Sequence, residues 1–413
     1  MGKQFIRRTC RYAAILVSPA LAIIWTAWNR AFARGEKVLV LIGMGGARDL
    51  IHRLREAGHH IVVVEASPRS LNWRLVHEAY FLDTFDLGNT AKIVDIARKR
   101  NLRVALAQSN EWLVPQVAAV NKALGNVAVS DLAVQCSLSK GTMHRVLANA
   151  GVQVVPNAVI ADEAEIERHG IPYPVVAKAD VGQGGHGYRI CNDVSELREG
   201  YASVREAFPE SGVLVEQYLP GRLFDIQGIV HRGEVRPYIV LEQNYFRHMP
   251  RFMRCWLLFN PGLDAALESE MRRIVSSAVS ACEFLSGPFH VEVRLDASGR
   301  AYAIDLSNRL RGEFARSART TTGCDMIYDY VLSMMGTDIP PPNPEFSRLE
   351  LRYYTHSFEA GRLRAAEIAR RHPALVREEP DGDRNSTMYV FLSESEPELR
   401  SLIGDLDEAL RHD

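Results

Sequence analysis

Within YPVVAKADVGQGGHGYRI, residues 173–190, a short apolar strand ends on Lys178 and gives way to Gly182, Gly184, Gly185 and Gly187. The β-branched pair Val175 and Val176 favours extended chain, and the glycines strip the next turn of side chains so that backbone N–H groups can approach a guest closely. A phosphate is the guest such a turn suits. The order of the parts excludes two familiar phosphate grips, because a P-loop places its lysine after the glycines and the protein-kinase loop puts it on a later strand. Here the lysine comes first.

The flanking sequence sets this element inside a larger plan. KVLVLIGMGGARDLIHRLREAGHHIVVVE predicts a strand from Lys37, a turn at Gly43, Gly45 and Gly46, a helix ending at Gly58, and a strand ending at Glu65. TAKIVDIARKRNLRVALAQ adds a helix and a strand ending near Gln108, so residues 36–130 read as an open, mostly parallel α/β domain. Its glycines fall short of GxGxxG, and a tight turn is preferred over a dinucleotide site. Later come two hairpins, with turns at Arg232-Gly233 and Ser298-Gly299, separated by a helix over about residues 263–285. Units of βαβ first and hairpins afterwards predict separate α/β and α+β domains. PPPNP, Pro340 to Pro344, reads as a rigid linker to a small C-terminal unit over 346–413.

Four stretches follow one another in a telling order: SLSKGTMHRVLANAGVQVVP, VVAKADVGQGGHG, VLVEQYLPGRLFDIQG and FHVEVRLDASGRAYAIDLSNRLRG. Together, over about residues 130 to 315, they resemble the ATP-grasp superfamily. The resemblance implies a domain over 131–340, with a lid at about 170–220, in which two antiparallel-sheet subdomains close on ATP. It implies Lys140 and Lys178 as phosphate ligands under a cover made by Gly182, Gly184, Gly185 and Gly187. It also implies Glu216, Gln217, Tyr218 and Leu219 as the hinge that holds adenine and ribose. Glu292 and Asp305, with Asn308 beside them, are the expected Mg²⁺ ligands, and Arg309 and Arg311 the receivers of a carboxylate or the transferring phosphoryl group. Elementary chemistry agrees. Two lysines neutralise a triphosphate from different directions, carboxylate oxygens suit Mg²⁺, and a guanidinium presents a planar fork to an anion.

The sequence departs from the family at two places. Leu223 stands where a ribose-binding acid is common, which leaves Asp225, or Gln227 on the same strand face, as the substitute. The usual carboxylate-x-Asn-x-Arg becomes Asp305-Leu306-Ser307-Asn308-Arg309, so Ser307 replaces an amide and Asn308 falls on the other face unless the strand has ended. The activity implied is ADP-forming ligation of a small carboxylate, such as an amino acid, to an amine through an acyl phosphate. The layout most resembles amino-acid and dipeptide ligases, and it is also similar to the biotin carboxylase and carbamoyl-phosphate branches. The alternatives are a bicarbonate-using carboxylase-type enzyme and a nucleotide-binding, membrane-associated scaffold without turnover. QNYFRHMPRFMRCWLLFNPG, from Gln243, with Arg247, His248 and Arg251, is a candidate substrate wall. His186 reads as a loop residue.

Composition narrows the partners. A net charge of -1, from 49 basic and 50 acidic residues, argues against a nucleic-acid binder. Six scattered cysteines without a CxxC pair indicate reduced thiols rather than a zinc site or a disulfide scaffold. Residues 1–35 are read as an apolar N-terminal helix. There Lys3, Arg7, Arg8 and Arg11 precede the uncharged YAAILVSPALAIIWTAW of residues 12–28. Membrane attachment, a buried or oligomer-forming helix that would give a homodimer, and an exported signal are all open for it. Dependence on ATP predicts a cytoplasmic catalytic body, with this segment as the element that could attach it to a membrane.

Overall fold

The computed structural model describes residues 35–43, 47–67, 75–126, 129–182, 187–246, 253–340, 348–356, 359–380 and 386–410. The apolar stretch 12–28, Gly45, Gly46, Gly184, Gly185, His186, Arg247, His248, Arg251 and most of PPPNP lie outside them. No helix among the described residues is long and apolar enough to cross a membrane.

The chain begins with β1 (Lys37–Ile42), α1 (Arg48–Glu56), β2 (His60–Glu65), β3 (Glu78–Phe81), α2 (Thr90–Lys99), β4 (Val104–Ala107) and α3 (Val114–Ala123). The four strands form a parallel sheet in the order β3-β2-β1-β4. β1, β2 and β4 are continuous apolar runs because helices cover both faces of such a sheet, and Val38 to Leu41 are completely buried. This is the open parallel α/β arrangement expected for the N-terminal part of the chain.

Next come α4 (Asp131–Leu138), α5 (Lys140–Asn149), β5 (Asn157–Ile160), β6 (Val175–Ala179), β7 (Arg189–Cys191), α6 (Val194–Ala207) and β8 (Val213–Gln217). The strands make a small antiparallel sheet in the order β5-β8-β6-β7. Alternation sorts its faces: Val175, Ala177, Val213 and Val215 pack on Leu197 and Val204 of α6, so Val176, Lys178, Leu214 and Glu216 turn to the opposite side.

The remainder contributes β9 (Leu223–His231), β10 (Glu234–Phe246), β11 (Met253–Phe259), α7 (Ala265–Ala281), β12 (Gly287–Leu295), β13 (Ala301–Ser307), α8 (Gly312–Thr322) and α9 (Met326–Met335). β14 (Leu349–Tyr354), α10 (Glu359–Arg371), β15 (Leu375–Pro380), β16 (Thr387–Ser393) and α11 (Glu396–Leu410) complete it. Their strands form one eight-stranded sheet, β13-β12-β9-β10-β11-β14-β16-β15. The C-terminal segment therefore does not build a sheet of its own. β14 pairs antiparallel with β11 and extends the central sheet, while α10, α11 and a separate apolar cluster close over that end.

One face of the central sheet is core. Phe224, Ile226, Val291, Val293 and Leu306 pack on Met271, Ile274, Val275 and Ala278 of α7 and on Met143 and Leu147 of α5. Full burial of such side chains is worth roughly 1.5–3 kcal/mol each. It fixes the strand register, because a one-residue slip would turn every core side chain outward. On the opposite face, under the small sheet, lie the polar residues Asp225 and Gln227 of β9, His290 and Glu292 of β12, and Asp305 and Ser307 of β13.

Candidate active site

Lys140 sits in the first turn of α5, and that turn is tied to the strand after Lys178. Ser139 caps the helix by accepting from Thr142 N–H at 3.1 Å, and Asp180 accepts from Gly141 N–H at 2.6 Å and from the Ser139 hydroxyl. A carboxylate at a helix N-terminus is well placed against the dipole. Lys140 Nζ thereby donates to Gly182 O at 3.2 Å and stands 4.0 Å from Asp305 Oδ1. The two sheets meet again at Lys178, whose Nζ donates to Ile304 O at 3.3 Å.

Lys178 also has a partner on its own sheet. Its Nζ lies 2.6 Å from Glu216 Oε1, a diagonal neighbour across β6 and β8, and His144 Nε2 of α5 lies 3.1 Å from the same oxygen. Burial opposes ionisation of Glu216, but Lys178 and His144 outweigh it and hold the carboxyl down to about 2. For Lys178 burial again works against the charge, and Glu216, Asp305 and Glu292 more than offset it, so its pKa is raised.

The hinge after β8 is spoken for in part. Gln217 N–H donates to Pro156 O at 2.9 Å and Tyr218 N–H to Pro174 O at 3.0 Å, while Leu219 O accepts from Arg294 Nε at 2.7 Å. The Arg294 guanidinium lies 5.2 Å from the centre of the Tyr218 ring. Gly221 is required by close approach: a Cβ there would stand 2.3 Å from Leu295 O. Gly187 has φ +73°, and a Cβ on it would meet Val204 Cα of α6 at 3.0 Å.

Across the cleft, register aligns three carboxylates. Glu292 pairs directly with Asp305 on β13 and with Asp225 on β9, which puts all three on one face. Arg311 grips two of them, with N–O distances of 2.5 Å to Asp225 and 3.1 Å to Glu292. Asp225, the candidate for the ribose, is completely buried, bonded to Arg311 and opposite Glu292. Burial raises its carboxyl to about 6, against the pull of Arg311 and with Glu292 adding to the rise. Asp305 is held low: burial opposes this, but Lys140, Lys178 and Arg311 prevail.

One step along the same strands lies a second row, Gln227, His290 and Ser307. All three are nearly or completely buried, yet Gln227 Oε1, both ring nitrogens of His290 and Ser307 Oγ have no hydrogen-bond partner among the described residues. Burial, then the charges of Arg311, Arg309, Lys140 and Arg254, push His290 well below the ordinary imidazole range, so the ring is neutral at pH 7. Ser307 occupies the position of the missing amide ligand. β13 ends at Ser307, and the following Asn308 donates from Nδ2 to Pro288 O at 2.8 Å. Arg309 turns to the first domain and pairs with Glu111. From the expected substrate wall, Gln243 Oε1 accepts from the Tyr245 hydroxyl at 3.0 Å.

His144, Asp180 and His290 were not singled out from sequence. His144 follows Lys140 by four residues and so shares its helix face, and His290 precedes Glu292 by two and so shares its strand face. Spacing alone could have marked both.

Residues 139–339 match the family described as carbamoyl-phosphate synthase L chain, ATP binding domain. Human carnosine synthase 1 is 23% identical over 340 residues, covering 75% of this chain and 39% of that protein. The chain therefore spans about two fifths of that relative's length. The L-amino acid ligase of Bacillus licheniformis superposes with a TM-score of 0.72 at 18% identity, covering 91% of this chain and 98% of the other. The biotin carboxylase domain of Hydrogenobacter thermophilus 2-oxoglutarate carboxylase, solved as a dimer with MgADP, ADP and bicarbonate, gives 0.67 at 19% identity, covering 87% and 86%. Parallel domain, lid and central sheet follow the same plan in these structures, so the chain carries the fold of ATP-grasp enzymes, with its match to an ATP-binding domain over 139–339.

Proposed function

We propose that this protein is an ADP-forming ligase that uses ATP and Mg²⁺ to join a small carboxylate, an amino acid or similar acid, to an amine. The observation that carries the reading is the convergence of Lys140 and Lys178, from a helix and from the lid, on Asp305 at the end of the three-carboxylate row. Two ammonium groups facing carboxylates across a narrow cleft suit a triphosphate chelated by a divalent cation, since each side neutralises part of the other's charge.

The residues fit Mg²⁺ in a particular way. Among the described residues no three His, Cys, Asp or Glu side chains are placed to enclose a metal ion. Glu292 and Asp305 instead offer an open edge, with the Ser307 hydroxyl nearby and unpartnered. Mg²⁺ keeps waters and takes phosphate oxygens, so an open pair suits an ion that arrives with the nucleotide. Bound there, it would supply charge stabilisation to the transferring phosphoryl group. Lys140 and Lys178 hold the phosphates, the hinge from Glu216 to Leu219 faces the base, and Arg311 and Arg309 stand near the acid to be activated. The substrate carboxylate attacks the γ-phosphate to give an acyl phosphate and ADP, and the amine then displaces phosphate. These groups contribute positioning and charge rather than covalent chemistry.

The shared fold with an L-amino acid ligase supports an amino acid as the acid. The structure solved with bicarbonate motivates the second reading, carboxylation. The catalytic body works where ATP is held, in the cytoplasm, whatever attachment residues 12–28 provide. The deciding experiment measures Mg²⁺- and ATP-dependent ADP release against amino acids and amino-acid pairs, with and without bicarbonate. Release that requires an acid and an amine is expected. Release stimulated by bicarbonate with one acceptor would favour the carboxylase, and ATP binding without release under any condition would favour a scaffold.

A further inference from the structure

Two polar clusters share one row of the central sheet. The register runs from Asp305 through Glu292, Asp225, Leu241 and Phe259 to Glu350 of β14, so these side chains lie on one face. Glu350 and its neighbour on that face, Arg352, are buried almost completely, and Glu350 Oε1 accepts from Arg352 Nε at 2.8 Å. Helix α8 joins the two ends of the row. Just before its first turn Arg311 holds Asp225 and Glu292, and less than two turns later Ser317 donates to Glu350 and accepts from Arg352. Between these points the Phe314 ring packs edge-on against Phe259, with centres 5.6 Å apart. The guanidinium of Arg311 lies 5.6 Å from the centre of Phe314, and that of Arg352 lies 6.0 Å from it.

The pair at the far end of the row is a poor device for stability alone. Apolar side chains of similar volume often do as well as a buried ion pair or better, and Glu350 Oε2 has no hydrogen-bond partner among the described residues. A carboxylate oxygen left unmatched in an apolar layer is costly. Direction is what the pair supplies and apolar side chains cannot. Both charges meet the Ser317 hydroxyl, which fixes how α8 is turned and how far it slides on a sheet where Leu241, Leu257, Phe259, Ala315 and Ala318 give apolar contact only. We propose that Glu350 and Arg352 are positioning residues for the reaction: from the C-terminal segment they set where α8 lies, and through it where the Arg311 guanidinium meets the carboxylate row. This inference rests on the ligase reading and gives the C-terminal segment a part in the same site.

The test measures Mg²⁺- and ATP-dependent ADP release and melting temperature in the full chain. In Glu350→Leu/Arg352→Met, which replaces both charges, the melting temperature should hold or rise, while kcat falls about 10–100-fold and KM for ATP changes less than about twofold. Arg311→Lys keeps the charge and loses the planar fork. In that background the same double replacement should lower kcat by less than about twofold, because the geometry it acts through is already gone. Full kcat in the folded double variant overturns the proposal, and so does a loss of equal size in both backgrounds. If the double variant fails to fold, Ser317→Ala decides: it severs the helix from the pair and must show the same loss with the same dependence on Arg311. Should the wild type release no ADP with any acid and amine, the ligase reading has failed and the placement of Arg311 is read from stability instead. Asp225 faces Arg311, Arg254, Glu292 and Gln227; burial raises its carboxyl to about 6, and Arg311 is the foremost group opposing the rise. Loosening Arg311 in these variants should therefore carry the fall of stability with rising pH above pH 6. A pH profile identical to that of the wild type rejects the proposal.

Discussion

The two halves of the cleft are built on opposite principles. Under the lid, the Lys178 ammonium and the Glu216 carboxylate match each other at 2.6 Å, and His144 Nε2 of α5 joins the same oxygen at 3.1 Å, leaving only its Nδ1 without a partner among the described residues. On the central sheet, Asp225, Glu292 and Asp305 crowd like charges into one row beside His290, Gln227 and Ser307, whose buried polar atoms find no partner among the described residues. That charge pair is complete without a ligand. The sheet is not, and a buried row left half satisfied is what a site looks like before its ligand supplies the missing charge and hydrogen bonds.

The largest effect should come from breaking the complete half. Lys178→Met leaves Glu216 buried against His144 alone, and loss of one member of a buried pair costs about 3–5 kcal/mol. Turnover should disappear as well. The double variant Lys178→Met/Glu216→Leu separates the two consequences, because replacing both charges restores most of the stability and none of the activity. Calorimetry and ADP release measure the two; activity retained by Lys178→Met would remove this lysine from the phosphate site.

In the incomplete half the balance reverses. Asp305→Asn should lower turnover by about 10²–10³-fold and raise the Mg²⁺ concentration needed, with little loss of stability, since the Asp305 side chain is about a quarter exposed. A stability loss with unchanged Mg²⁺ dependence would make the row structural.

The same contrast predicts opposite pH slopes. Glu216 is held down to about 2, below its unfolded value of 4.5, so its contribution to stability is present above pH 4.5 and is lost as pH falls toward 2. Asp225 is raised to about 6 from 3.8, so the folded state binds the extra proton between these values and stability declines as pH rises through that window. The Asp225 term is of order 3 kcal/mol at most. Denaturation from pH 3 to 7 should show Asp225→Asn losing a downward slope above pH 4, and Glu216→Gln losing an upward slope below pH 4.5. Slopes of the same sign in both differences would contradict the contrast.

His290 offers a milder probe. His290→Leu removes two unmatched ring nitrogens, so melting temperature should hold or rise while turnover falls about tenfold. Lower stability at full activity would show that water, not ligand, satisfies the ring.

How far these features were legible follows from the sequence distance of the contacts. The strand ending on Lys178 and the hairpin that aligns Glu292 with Asp305 rest on neighbouring residues, and period-two alternation reads both directly. Asp225 joins that row only because β9 pairs with β12 across more than sixty residues, and His144 reaches Glu216 across seventy-two. Nothing in local periodicity selects such partners. The C-terminal segment shows the same limit: a proline-rich stretch suggested a separate unit, whereas β14 pairs with β11 and continues the central sheet. Asn308 was hard to orient for a smaller reason, since its side chain depends on whether β13 ends at Ser307, and strand ends are the least local part of the pattern.

The smallest expected effect concerns Gly187, which sequence assigned to the phosphate cover with Gly182, Gly184 and Gly185. Its φ of +73° and the 3.0 Å approach to Val204 Cα give it a second role, letting the strand into β7 pass close over α6. An L-residue in that conformation costs about 1–2 kcal/mol. Gly187→Ala should therefore lower the stability of the lid, read as faster hydrogen exchange in β6 and β7, while the apparent ATP affinity changes less than twofold. The Lys178–Glu216 pair would remain intact, because both side chains lie on the sheet face opposite α6. Loss of ATP affinity with normal exchange would return Gly187 to the phosphate cover, and would mean that the complete half of the cleft also waits on its ligand.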